Sequence, residues 1–173
     1  MTTLTLAIRN ELARIPGLTS LLAKSASWDT WIFDERPVKA AIEGSQKCMI
    51  VVSSESPYTG ANEHNTLRFP QVHVDVWADP TRDTTKENKP VKVYDAKAKI
   101  ERIFPFVDKV LHRVDPGSAS GSVLIWGTAA EVANKTGVVV AGSLRLSGDI
   151  EFSPVKDSEG TMMGRLTYGV NLL

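Results

Sequence analysis

The segment that decides the fold is Phe69-Pro70-Gln71-Val72-His73-Val74-Asp75-Val76-Trp77-Ala78-Asp79. Its three valines occupy every second position and alternate with the Gln, His, Asp and Trp side chains. Successive side chains of a β-strand point to opposite faces of the sheet, so the valines share one face and the polar residues share the other. We therefore predict a strand over residues 68–78 that has one apolar, buried face and one half-exposed face.

Two amphipathic helices are predicted on either side of this strand. Apolar side chains recur at helical spacing over residues 3–15, and Pro16 and Gly17 provide a stop. The same spacing predicts a second helix over residues 93–113, which Pro105 is expected to kink or split because proline lacks a backbone donor. The segment 79–92, between the strand and this helix, is polar and bracketed by prolines, which predicts a loop.

The remaining strands predict the rest of the sheet. Residues 47–53 are apolar on both faces, as in a central strand that is covered on each side. Residues 123–126 suit a short strand and 138–152 a long one, in which glycines 142 and 148 can bend the chain. Alternation over residues 143–172, interrupted by a turn-rich stretch, predicts a long terminal β-hairpin.

This order of elements predicts the fold class. Strands and helices do not alternate regularly, as they would in a parallel α/β protein. We therefore predict an α+β fold, with a mostly antiparallel or mixed β-sheet, two main helices packed on one face and the long C-terminal hairpin. A length of 173 residues fits a single domain spanning 1–173.

The amino-acid composition limits the classes of protein to which the chain can belong. An apolar share of 42% supports a folded core, and twenty basic residues balance twenty acidic ones, so no net charge attracts the chain to nucleic acid or to an acidic membrane. The lone Cys48 lies in an apolar run and is expected to be a buried, reduced thiol, which favours an intracellular compartment. No apolar run approaches the roughly 20 residues of a membrane span, and no membrane partner is expected.

Motifs that carry chemistry are absent from the sequence. It contains no Gly-rich phosphate loop, no dinucleotide fingerprint, no zinc-protease helix motif and no nucleophile elbow. His73 and Asp75 share a strand face and are the one pair that suggests a metal site or acid/base chemistry, but zinc and iron sites usually supply three or four ligands. We predict a protein that is not an enzyme, with no catalytic residue, cofactor or metal.

Two candidate surfaces follow from charge and from exposed aromatic character. A rim tryptophan more often marks a protein contact than a ligand site, although the second helix or the loop can also cover it. The candidate protein-interface residues are Trp77, Arg82, Lys86, Lys89, His73 and Asp75. The candidate basic face of the second helix comprises Lys97, Lys99 and Arg102, for which a solvated helix face is favoured over nucleic-acid binding because few aromatic residues are interleaved.

The chain resembles the tail terminator, or tail completion, family of long-tailed bacteriophages. The resemblance rests on a strand with the pattern V-x-V-x-V-W-A/S that precedes a polar segment and a helix, and on the order of the flanking elements. The residues that carry it are Phe69–Asp79, Ile15-Pro16-Gly17-Leu18, Met49-Ile50-Val51-Val52-Ser53, Glu55-Ser56-Pro57, Leu144-Arg145-Leu146 and Tyr168-Gly169-Val170-Asn171-Leu172. It covers nearly the whole chain in order.

This resemblance implies a structural virion protein. Such a subunit forms a six-fold ring on the head-proximal end of the tail tube, stops tube polymerisation and provides the surface that joins the head. Its partners are copies of itself, the tail tube protein and the head–tail connector protein. DNA passes through its lumen, and the basic face of the second helix (Lys97, Lys99 and Arg102) or the 79–92 segment is a candidate to line that lumen. It acts in the virion tail at the head–tail junction and assembles in the host cytoplasm.

Two other functions stay open at this point. A head–tail connector or another minor virion subunit shares the structural role and differs in its partner. A small nucleic-acid-binding module would depend on the Lys-rich stretch and would bind DNA in a salt-dependent manner.

Overall fold

The structure is a computed structural model of the 173-residue chain. It describes residues 4–22, 32–33, 48–55, 71–83, 85, 89–92, 95–111, 123–126, 130, 134, 138–141, 145–146, 148–156 and 158–169. The helices are α1 (Leu4–Ala13), α2 (Pro16–Thr19) and α3 (Asp95–Leu111). The strands are β1 (Ile32–Phe33), β2 (Cys48–Glu55), β3 (Gln71–Ala78), β4 (Thr81–Asp83), β5 (Lys89–Lys92), β6 (Val123–Trp126), β7 (Val138–Ala141), β8 (Arg145–Leu146), β9 (Glu151–Pro154) and β10 (Met162–Gly169).

The main sheet of the described chain has six strands and is mixed. Its order is β1-β2-β3-β10-β8, and β9 also pairs with β10. Only β1 and β2 are parallel, whereas β3 pairs antiparallel with both of its neighbours, β2 and β10. The predicted α+β class and the predicted central strand at 47–53 are confirmed.

The core lies between this sheet and the two long helices. The valines of β3 are fully buried on the inner face, in one cluster with Ile8 and Leu12 of α1 and with Ile100 and Val107 of α3. The apolar faces of the two helices pack against the apolar inner face of the sheet, so the side chains of both are removed from water. The prediction of two helices on one face is confirmed, and Pro105 lies within a continuous helix instead of splitting it.

The terminal hairpin is present and interrupted once. Strand β10 pairs antiparallel with β9 near its start and with β8 near its end. Between β8 and β9, Gly148 has φ = 92°, a backbone conformation that favours glycine and cannot continue a strand. The long hairpin predicted over 143–172 is confirmed in part, by the pairing of β10 with β8 and β9, and residues 143–144, 147, 157 and 170–172 lie outside the described residues.

The prediction of one strand over 138–152 is wrong. The segment begins with β7, which pairs antiparallel with β6 in a separate two-stranded sheet, and among its described residues those of the main sheet begin at β8. Apolar alternation alone does not distinguish two short strands from one long strand, because both have the same period.

The polar segment 79–92 forms a hairpin and not a plain loop. Strands β4 and β5 pair antiparallel in a two-stranded sheet, with a register shift between Thr81 and Arg82. Pro90 is tolerated there because each strand of a two-stranded sheet has a free edge, where a missing backbone donor breaks no second ladder. The proline that predicted a loop is therefore compatible with a short strand.

The half-exposed face predicted for residues 68–78 is also wrong. Strand β3 is buried from Val72 to Ala78 on both of its faces, and Gln71 alone among its residues is exposed. Pairing with β2 and β10 along its whole length places β3 inside the sheet, where neighbouring side chains cover its polar residues. None of the helices in the described ranges combines the length and apolar character needed to cross a membrane.

Cys48 lies at the start of β2 and is buried, as its apolar neighbours predict. Burial raises the pKa of its thiol to about 11, and the nearby Lys99 only partly opposes this. Because the thiolate is the reactive form, we expect a disulfide reagent at pH 8 to modify Cys48 about 1,000-fold or more slowly in the native protein than in denaturant. Rapid modification without denaturant would show that this end of β2 opens locally.

Candidate interaction surfaces

The outer face of the main sheet, which is opposite the helices, is built from three rows of side chains. Register aligns β2, β3 and β10 so that each row takes one residue from each strand. The rows are Met49–Trp77–Met163, Val51–Asp75–Arg165 and Ser53–His73–Thr167. The face thus changes from apolar, through charged, to polar along the strands.

An ion pair holds the middle row together. The Arg165 guanidinium donates two hydrogen bonds to Asp75, from Nε to Oδ1 at 2.7 Å and from a terminal nitrogen to Oδ2 at 2.8 Å. The Asp75 side chain is 9% exposed and that of Arg165 is 32% exposed. A bidentate, charge-assisted pair with one partner buried ties β3 to β10 in a fixed register.

The apolar row encloses Trp77. Its exposure is 8%, and it forms a buried cluster with Met49 and Val51, against which Phe33, Val155 and Met163 pack. Of the two alternatives for Trp77, exposed or covered, the structure bears out the second, although side chains of β1, β2 and β10 cover it and not the second helix or the loop. A role for Trp77 in a protein contact stays a prediction that requires this cluster to rearrange.

His73 is buried and lies in the polar row. Its Nδ1 is 3.0 Å from Oγ1 of Thr167 on β10. Its strand neighbour Asp75 is engaged by an arginine, which competes with any cation for the carboxylate. Within the described residues, no group of three His, Cys, Asp or Glu side chains is placed to hold a metal ion.

The β4–β5 hairpin is anchored at its base to the start of α3. The Thr81 hydroxyl donates a hydrogen bond to Asp95, and Lys99 Nζ lies 3.4 Å from the same carboxylate. Lys99 also donates to the backbone carbonyl of Asp79 at 2.8 Å, while the Asp79 carboxylate accepts a hydrogen bond from Thr161. These contacts join β3, the hairpin, α3 and the turn before β10.

This anchor predicts a pH-dependent contribution to stability. The Thr81 hydroxyl, assisted by Lys99, holds the pKa of Asp95 below its usual value. A carboxyl whose folded pKa is lowered stabilises the protein above its unfolded pKa of roughly 4, and this stabilisation is lost as pH falls through the folded pKa. We expect Asp95→Asn to lower the free energy of unfolding at pH 7 by about 1 kcal/mol and to have a smaller effect at pH 3, where more of Asp95 is protonated.

Urea unfolding of both proteins between pH 3 and pH 7 measures this difference. The control is Asp149→Asn, since Asp149 is exposed and should show a small effect at every pH. A difference between wild type and Asp95→Asn that stays constant across this range would contradict the role assigned to the Asp95 charge.

The remaining interface candidates lie on the hairpin. Arg82 is in β4 and Lys89 is in β5, and the structure describes their backbone but not their side chains. Lys86 lies outside the described residues. The hairpin thus brings Arg82 and Lys89 onto paired strands, a juxtaposition that the predicted loop did not contain.

The three residues of the predicted basic face of α3 lie in two different environments. Lys97 and Arg102 are exposed, whereas Lys99 is turned toward Asp79 and Asp95 at the hairpin base. Lys97 lies 3.8 Å from Glu101 and 4.7 Å from the centre of the Phe152 ring. Acidic Glu101 therefore shares the exposed face with Lys97 and Arg102, and this pattern is typical of a solvated helix face.

An apolar groove lies between α3 and the terminal hairpin. Its volume is about 370 Å³, and it is lined by Glu101, Phe104, Pro105, Asp108, Ile150 and Leu166. Ile150 in this lining and Leu146 on β8 are large apolar residues that are each 38% exposed. Asp108 is also close to the core, because its Oδ1 is 3.3 Å from the buried Tyr168 hydroxyl, whose pKa is raised mainly by burial.

Sequence reasoning did not find this groove. Ile150 and Leu166 fall on the apolar positions of the predicted terminal hairpin, which by itself indicates a core face, and the sequence does not single out Phe104. The one available signal was Gly148, because a glycine between two apolar strand residues can mark a bend that leaves them exposed.

Comparison with known proteins gives a likeness of fold. Neither protein-family profiles nor the sequences of curated proteins match this chain. Among solved structures, the chain is similar to one from the virion of a native gene transfer agent (GTA) particle, with a TM-score of 0.52 and 13% sequence identity. The match covers 98% of this chain and 93% of that one. At this identity the likeness shows a shared fold.

Proposed function

We propose that this protein is a structural virion subunit, which forms a ring that caps the head-proximal end of a phage tail tube. The ring stops tube polymerisation and provides the surface that joins the head. The observation that carries the proposal is the likeness to a virion chain over nearly the full length of both chains. The order of sequence elements, which resembles the tail terminator family, supports the specific role.

The surfaces of the molecule are compatible with assembly through protein contacts. A ring subunit needs two different patches that fit each other, so that contacts continue around the ring until it closes. The β4–β5 hairpin and the apolar groove beside α3 are two such patches on different elements. An exposed apolar groove is a more usual feature of an interaction site than of an inert surface.

Charge supports protein partners more than it supports DNA as the main partner. The formal net charge is zero, and the exposed face of α3 carries Glu101 beside Lys97 and Arg102. In the proposed role, the partners are copies of the chain, the tail tube protein and the head–tail connector protein. DNA passes near the lumen without specific binding, and the protein is located in the virion at the head–tail junction.

Assembly state is the first test. Light scattering across a concentration series, with negative-stain images of the same samples, should find rings with a mass six times the 18.9 kDa of one chain. Added to purified tail tubes, the protein should bind one tube end and stop elongation by tube subunits. A chain that does not form rings, alone or on tubes, contradicts the proposal.

Two further outcomes favour the other functions. Binding to a connector ring with no effect on tube growth would indicate a head–tail connector. DNA binding that weakens steeply with salt, with no affinity for tubes, would indicate a nucleic-acid-binding module, because release of counterions gives such binding its salt dependence.

A further inference from the structure

The groove beside α3 combines an apolar floor with an acidic rim. Among the described residues, its lining includes Phe104, Ile150 and Leu166 together with two carboxylates, Glu101 and Asp108. The basic side chain of Lys97 lies 3.8 Å from Glu101 in an exposed ion pair, which leaves Asp108 as the other carboxylate of the lining. Two more acidic residues, Asp149 and Glu151, flank Ile150 in the chain, and both are exposed. The chemistry of this surface suits an apolar segment that carries positive charges at its ends.

One segment of this same chain has that chemistry. Strand β5 has the sequence Lys89-Pro90-Val91-Lys92, in which two apolar residues lie between two lysines. Residues 81–92 contain four basic residues and two acidic ones, so the β4–β5 hairpin carries a net charge of +2. Its strands pair only with each other within the described residues, and β5 therefore presents an extended backbone outside the main sheet.

We propose that the β4–β5 hairpin of one copy docks in the groove of the next copy. The positive charge of the hairpin, which includes Lys89 and Lys92 of β5, complements the carboxylates of the rim. The groove volume of about 370 Å³ lies at the lower end of the roughly 300–1,000 Å³ typical of binding pockets, so it accommodates a few side chains and not a helix. This proposal rests on the ring function and names the two faces of its subunit contact.

The two surfaces are separate on each copy. The hairpin is anchored at the first residue of α3, Asp95, whereas the groove extends from Glu101 to Asp108 on the same helix. At 1.5 Å per residue, the groove starts about 9 Å from the hairpin base and ends about 20 Å from it. Contacts between two different surfaces are heterologous, and contacts of this type build rings when the rotation closes.

Charge reversal on either surface tests the docking. The hairpin variant is Lys89→Glu with Lys92→Glu, and the groove variant is Glu101→Lys with Asp149→Lys. Each should weaken self-association by about 100-fold or more, because like charges then face each other. Sedimentation velocity and light scattering measure assembly in solution, and negative-stain images measure it on purified tail tubes.

Mixing the two variants gives the sharper result. The hairpin variant has an acidic hairpin and an acidic groove, and the groove variant has a basic hairpin and a basic groove. Neither should assemble alone, whereas a 1:1 mixture should assemble with the two variants alternating, because each hairpin then meets a groove of opposite charge. A chain that carries all four substitutions should recover assembly, since the charges are exchanged between the surfaces. Lys156→Glu is the control for charge reversal as such, because Lys156 is exposed and outside both surfaces, and it should assemble like wild type.

The outcomes separate this proposal from the proposed function. Rings that form equally well from wild type and from both reversal variants would overturn the docking and leave the terminator role standing. Variant mixtures that assemble where neither variant does alone, from a wild type that never caps tubes, would uphold the docking and reject that role. A wild-type chain that does not self-associate, in solution or on tubes, would overturn both.

Discussion

Gly164→Val is expected to lower the free energy of unfolding by about 3 kcal/mol, near the upper end of the usual cost of overpacking a core. A Cβ at Gly164 would lie 2.6 Å from Cγ2 of Ile100 and 2.7 Å from Cζ of Phe104. Both neighbours are buried in α3, so neither side chain can move aside without displacing others or shifting the helix away from β10. Urea unfolding followed by circular dichroism measures the loss.

A graded series and a rescue test the cause. Gly164→Ala adds only the Cβ and should cost less than Gly164→Val. Phe104→Leu removes the atoms that the new Cβ meets, so the cost of Gly164→Ala should be smaller in a Phe104→Leu background. Equal costs in the two backgrounds would show that the close approach of α3 to β10 is not the reason for glycine at this position.

This substitution also bears on the proposed docking groove. Phe104 both lines the groove and contacts the space beside Gly164. Any displacement of α3 that accommodates a larger side chain therefore alters the groove wall. We expect Gly164→Ala, at temperatures where it remains folded, to weaken self-association in the same light-scattering assay.

Arg165→Met is the other substitution with a large expected effect, a loss of roughly 2–4 kcal/mol. It leaves the Asp75 carboxylate buried on the outer face of the sheet without its two hydrogen bonds from the guanidinium. Removing one partner of a fully buried pair typically costs roughly 3–5 kcal/mol, and the partial exposure of Arg165 reduces this value here. Chemical unfolding at neutral pH measures the change.

The double variant Asp75→Leu with Arg165→Met provides the comparison. Because it removes both charges, it should recover much of the stability lost by Arg165→Met alone. Lys97→Met is the matched control, since it breaks an exposed pair with Glu101 and should cost less than about 1 kcal/mol. If the double variant is as unstable as Arg165→Met, the loss comes from the packing of the aliphatic part of Arg165 and not from the unpaired charge of Asp75.

Local patterns in the sequence predicted most of the elements. The valine alternation identified β3 and its inner face, and helical spacing identified α1 and α3 to within a few residues. These predictions succeed because each depends on which side chains of one segment share a face, which its own residues settle. The element order then predicted the α+β class, since it lacks the alternation of a parallel α/β fold.

Sequence-based predictions failed, or were not made, where the structure depends on contacts between segments that are distant in the chain. The polar face of β3 is buried because Arg165 and Thr167 of β10, some 90 residues later in the chain, provide partners for Asp75 and His73. Lys99 does not join Lys97 and Arg102 on the exposed face of α3, because it contacts the Asp79 carbonyl and the Asp95 carboxylate at the base of the β4–β5 hairpin. The residue pattern of each segment, taken alone, does not indicate which residues of the other segment it contacts.

The sequence by itself determined the identity of the main helices and strands, the inner core face and the burial of Cys48. These follow from hydrophobic periodicity, which is a local property of the chain. Only the tertiary structure decided which polar residues are buried in pairs and that the polar segment 79–92 forms the β4–β5 hairpin. It also decided that an apolar groove with carboxylates at its rim lies between α3 and the terminal hairpin. Those outcomes depend on strand register and on the approach of distant elements, which periodicity does not encode.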